Sequence, residues 1–184
     1  MKSLPSYWGW FFRGTGPEPG YRTILNWWLF VHLAVGLIFG ALVRVGLREA
    51  GSTVMLPLVG ILVAVSFAFV GSAQAVMRTG EVRALALYVG GGYAQYIYTF
   101  QTCILVILVA LIAWGCAALN VYDRFLSPET SPLVYFSFKA TLFGLASLAL
   151  RESWQVVMGT HLLLIAHDVM RSNTTKGTKN ETDN

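Results

Sequence analysis

Apolar residues run along this chain in four long stretches, broken by short polar segments. A helix crossing a hydrocarbon layer of about 30 Å needs roughly 20 mostly apolar residues. Residues 24–43 meet that requirement between Arg22 and Arg44, and residues 53–77 meet it between Glu49 and Arg78. Residues 96–119 form a third candidate span, closed by Asn120, Tyr122, Asp123 and Arg124.

The fourth stretch, 133–170, is apolar but contains Lys139 and the adjacent pair Arg151 and Glu152. As one helix it would be about 57 Å long, nearly twice the thickness of the hydrocarbon layer. One placement spans 140–165 and leaves Arg151 and Glu152 within the membrane. The other spans 133–150, puts the pair at the cytoplasmic edge and makes the remainder an interfacial helix. The first is favoured, because 156–166 is too apolar for a surface helix. The expected fold is an all-α integral membrane protein: a four-transmembrane-helix bundle with short loops and both termini in the cytoplasm. It divides into an aromatic interfacial segment with a Gly/Pro linker (1–23), the membrane domain (24–170) and a polar, disordered cytoplasmic tail (171–184).

Composition strengthens this reading. Of 184 residues, 55% are hydrophobic and 12% charged, whereas soluble domains carry about 25% charged residues. So short a chain has too little interior to hide that apolar surface from water. The net charge of +4 is spread around the spans, with no basic stripe to follow a phosphate backbone, so nucleic acid is not an expected partner. Basic residues set orientation instead. Lys2, Arg13, Arg22, Arg78, Arg83, Arg171, Lys176 and Lys179 fall on one side, and Arg44, Arg48 and Arg124 on the other. The richer side is assigned to the cytoplasm, and the membrane is expected to be a bacterial-type cytoplasmic (inner) membrane.

The first twelve residues lack the apolar core and small-residue cleavage site of a signal peptide. Trp8, Trp10, Phe11 and Phe12 are expected to be interfacial anchors. The connector 78–95 is the longest internal loop; 81–89 could form a short helix there, with Gly90, Gly91 and Gly92 as a hinge. Cys103 and Cys116 lie on one helix about 20 Å apart, too far for a disulfide.

Small residues form stripes: Gly36 and Gly40 in the first span, Gly60 and Gly71 in the second, Gly144 and Gly159 in the fourth. These permit close helix packing, within one bundle or between copies of the chain in a homo-oligomer. Polar groups inside an apolar span normally turn inward. Here these are His32, Gln74, Gln101, Gln155 and His161, with Asn26, Thr102 and Thr160 beside them, and together they suggest a polar cytoplasmic vestibule. Arg151 and Glu152 are the most informative pair. Neighbouring helix residues point about 100° apart, so each is expected to find its partner elsewhere.

No hydrolase, kinase, zinc-protease or CxxC motif is present, and no enzymatic activity or metal is expected. The leading expectation is an oligomeric membrane protein that forms or gates an ion-conducting pathway at Arg151, Glu152 and Gln155. The alternative is a membrane anchor or sensor recruiting a cytoplasmic protein partner, for example in a bacterial defence system. A third is a haem-b electron carrier, with His32 and His161 as facing iron ligands.

Overall fold

The computed structural model describes residues 6–14, 19–77, 92–126, 129 and 131–182, and every element among them is helical. The helices are α1 (Tyr7–Arg13), α2 (Trp27–Leu42), α3 (Leu47–Ala50), α4 (Leu56–Met77), α5 (Gly92–Ala118) and α6 (Pro132–Thr182). Short 3₁₀ turns occupy Gly20–Thr23 and Tyr122–Arg124. The expected connector helix and glycine hinge fall mostly in 78–91, outside the described residues.

Local chemistry sets the helix ends. Asn26 caps α2, its side chain accepting from the Trp28 N–H at 3.0 Å. Asn26 is therefore a cap and not a polar group within the span, and the first helix begins three residues later than expected. At the end of α5, Asn120 takes the left-handed conformation (φ 61°). Asn120 N–H then donates to Ala117 O at 3.0 Å and Val121 N–H to Cys116 O at 2.9 Å. This paired closure satisfies carbonyls that the helix leaves open. Between α3 and α4 the chain forms a π-turn at Gly51–Met55. Pro57 explains it, since proline has no N–H to give and its ring crowds the carbonyl four residues back.

Three helical segments are long and apolar enough to cross a membrane: Leu47–Ala75, Ile97–Ala118 and Pro132–Val169. Trp27–Leu42 is a shorter apolar helix. The outer faces are apolar: Phe30, Ile61, Ile112 and Leu162 are all more than 60% exposed. Bilayer hydrocarbon accepts such a surface and water does not.

Helix α6 is the organising element, packing on α2, α4 and α5. It runs antiparallel to α2: Gly40 meets Ala140, Gly36 meets Ala140 and Gly144, and His32 meets Ser147. It runs parallel to α4, with Ser66 beside Ser153 and the Phe69 carbonyl beside Thr160. Against α5 it is antiparallel again. The main core joins Val59, Leu62, Ile107, Ala110, Trp114, Leu142, Phe143 and Ala146. A smaller apolar cluster, Ala73, Phe100, Cys103 and Val156, lies toward the other end.

Two sequence expectations need revision here. The tail, expected to be disordered from residue 171, continues α6 as helix through Thr182. Extending an existing helix requires no new nucleation, so even polar residues can follow on. Trp10 is 1% exposed and packed against Gly20 and Tyr98, so it is a buried contact and not an interfacial anchor. Trp8 and Phe12 remain exposed.

Candidate functional site

Where the two apolar clusters meet, α6 carries charge. Glu152 is only 3% exposed, and its neighbour Ser153 is equally buried. From α5, the Cys103 thiol donates to Glu152 Oε2 at 3.0 Å. Arg151 Nη1 lies 3.4 Å from Glu152 Oε1. This corrects the expectation that the adjacent pair cannot meet. Arginine's long stem lets its guanidinium fold back along the helix, and at 17% exposure it has little water to turn to instead.

Gln155, one turn further on, joins the pair. With its carboxamide set to satisfy both neighbours, its nitrogen donates to Glu152 Oε2 at 3.2 Å. Its oxygen then accepts from Arg151 Nη2 at 3.0 Å and Nε at 3.2 Å. Beyond the ion pair, Glu152 Oε1 has no hydrogen-bond partner among the described residues. Gln155 is itself exposed, so the cluster runs from the bundle interior to its surface.

Two further polar pairs lie close by. Ser66 on α4 donates to Ser153 at 3.1 Å, and both side chains are buried. His32 Nδ1 on α2 is 2.8 Å from Ser147 Oγ, one helical turn before Arg151 on α6. His32 Nε2 is buried without a partner among the described residues. Beside Cys103, Thr102 donates to the Tyr98 carbonyl at 2.8 Å and accepts the Tyr7 hydroxyl at 3.2 Å. The N-terminal helix α1 is thereby fastened to α5 next to the charged layer.

The remaining polar candidates stand apart. Gln74, Gln101 and His161 are exposed on α4, α5 and α6. His161 lies fourteen residues beyond Ser147, about 21 Å along α6 at the helical rise. His32 is bonded to Ser147, so the chain does not bring the two histidines to one iron.

The glycines divide in the same way. At Gly36, a Cβ would lie 2.7 Å from Gly144 N and closer still to the Ala140 carbonyl; at Gly144, a Cβ would lie 3.1 Å from the His32 carbonyl. At Gly60 and Gly71 it would meet open space, and Gly159 is half-buried. The close pair in the first span therefore packs α2 onto α6 inside one chain. Lys139, 6% exposed, completes that seam by donating to the carbonyls of Val43 and, at 3.0 Å, Val45 beyond the end of α2.

The stripe Gly144, Ser147, Arg151, Gln155 at helical spacing was visible in the sequence. Cys103, Ser66 and Ser153 were not, since nothing in the linear order pairs them with Glu152. Chemically, the layer is an ionisable carboxylate held by a thiol, a carboxamide and a fixed positive charge within an apolar bundle. The chain matches no protein-family model, no curated protein and no solved structure.

Proposed function

We propose that this chain is an oligomeric multi-pass membrane protein that forms or gates an ion-conducting pathway, with Glu152, Arg151 and Gln155 as its control point. The observation that carries this reading is Glu152. A carboxylate 3% exposed in an apolar bundle is costly to keep there, and intramembrane ionisable groups mark ion and proton routes by default. Its distance along α6 from Lys139 is about 20 Å at the helical rise, well inside a hydrocarbon layer of about 30 Å.

The proposed topology has four crossings. The alternating directions of α2, α4, α5 and α6 support it, together with the anchored ends of the short α2. The eight-to-three distribution of basic residues then favours termini on the cytoplasmic side of a bacterial-type inner membrane. Because Gln155 carries the polar cluster to the bundle surface, a second copy meeting it there is a lower-energy arrangement than lipid. The role is conduction or gating, not catalysis. Purified protein in planar bilayers is expected to conduct, with Glu152→Gln suppressing the current. A silent wild-type protein would end this reading.

A second reading, a membrane anchor or sensor for a cytoplasmic partner, has one observation in its favour. Helix α6 has 51 residues, about 77 Å of helix against about 30 Å of hydrocarbon. Its far end would project from the membrane as a docking element. Truncation before residue 171 is expected to abolish capture of such a partner while leaving the bundle folded.

A further inference from the structure

We infer that the ion handled at the Glu152 site is the proton, that Glu152 Oε1 is the atom that takes it, and that Cys103 is the positioning residue. This rests on the pathway reading above and adds the identity of the ion.

The argument starts from what surrounds the carboxylate. Cys103 donates a thiol hydrogen to Oε2 at 3.0 Å, Gln155 directs an amide N–H at the same oxygen at 3.2 Å, and Arg151 sits 3.4 Å from Oε1. Each of these neighbours presents a positive or hydrogen-bearing end to the carboxylate. A sodium, potassium or calcium ion needs several oxygen lone pairs directed at it. Here it would meet one carboxylate and a fixed guanidinium charge that repels it. A proton needs only one lone pair.

The two carboxylate oxygens are not equivalent. Oε2 is occupied by Cys103 and Gln155, while Oε1 faces the Arg151 guanidinium at 3.4 Å and has no hydrogen-bond partner among the described residues. Protonation therefore falls on Oε1: a proton delivered from water forms an O–H bond there and leaves a neutral acid. Release breaks that bond and returns the proton to water on the other side, with nothing oxidised or reduced. Cys103 acts through Glu152 by holding Oε2 and so fixing the direction of Oε1. Among the described residues, the other groups facing this layer are His32 from α2, whose Nε2 has no partner there, Arg151 on α6 itself, and the uncharged pair of Ser66 from α4 with Ser153 of α6. Tyr7 from α1 reaches only Thr102, beside Cys103.

The test uses the full chain reconstituted into liposomes containing a pH-sensitive dye, with sodium and potassium fluxes followed in parallel. Proton uptake driven by a membrane potential is expected in the wild type, and its loss to the level of empty liposomes is expected in Glu152→Gln. Cys103→Ala is expected to shift the pH midpoint of uptake by about one unit, and Cys103→Ser to restore it. Glu152→Asp, which keeps the carboxyl but moves it, is expected to retain uptake with a displaced midpoint, and serves if the glutamine variant does not fold. Sodium or potassium flux without proton flux would overturn the proton assignment and leave the pathway standing. An unshifted midpoint in Cys103→Ala would overturn the positioning role. No flux of any ion would overturn the pathway reading and this inference with it.

Discussion

Helix α6 is built in two unlike halves. Toward Lys139 it meets α2 through Gly36, Gly40, Ala140 and Gly144, where the absence of side chains brings backbone against backbone. About two turns beyond Gly144, it meets α5 through Glu152 and Cys103, where a buried charge is held by a thiol. The glycine contacts are dry packing that adds attraction at no electrostatic cost, with the one buried charge there, Lys139, held by backbone carbonyls. The second half removes a carboxylate from water, which packing alone would never favour. One half of the helix is explained by holding the fold together. The other calls for a function, because an apolar pair of the same volume would be at least as stable.

The largest expected effect tests that contrast directly. Glu152→Ala leaves the Arg151 guanidinium buried without its counter-charge and is expected to destabilise the bundle by about 3–5 kcal/mol, measured by SDS titration in mixed micelles. The double change Arg151→Met with Glu152→Leu is expected to recover that stability while abolishing the conductance proposed above. If conductance persisted in the double variant, the charged half would be structural after all.

Next comes the dry half. Gly36→Leu would drive a side chain into the Ala140 carbonyl and Gly144 backbone and is expected to cost about 3 kcal/mol. Gly71→Leu on α4 meets open space within the chain and is expected to stay within about 0.5 kcal/mol for the isolated chain. A larger loss seen only in the proposed oligomer would place the α4 stripe at the contact between copies.

Smaller effects sharpen the comparison. Lys139→Met removes a charged donor from the carbonyls at the end of α2 and is expected to cost about 2 kcal/mol, without altering ion flux. The Ser66–Ser153 bond is expected to yield only about 0.6 kcal/mol in a double-mutant cycle, because polar groups in membranes also find partners when unfolded.

Apolar length and the punctuating residues made much of the fold readable in advance. Three of the four expected spans correspond to long apolar helices, Asn120 ends α5, and the Gly144–Ser147–Arg151–Gln155 stripe was visible as one face. These are local properties, set by a residue's own backbone preferences and by the 3.6-residue period. Two local rules misled. Adjacent residues on a helix were expected to remain apart, yet the long arginine side chain returns to its neighbour. A polar tail was expected to be disordered, yet it follows an established helix.

Partnership between helices was decided only by the tertiary structure. Cys103 and Glu152 are separated by 49 positions, and His32 and Ser147 by 115. His32 shares the four-residue spacing of Gly36 and Gly40, which marks its face, but nothing in the linear order names Ser147 as its partner. Apolar periodicity states that a face is buried, whereas the direction and register of neighbouring helices determine what it is buried against. The sequence by itself placed a charged pair in an apolar span. The packing of α6 against α5 and α2 turned that pair into a site, because it decided which hydrogen-bond donors reach the carboxylate and which of its oxygens is left open.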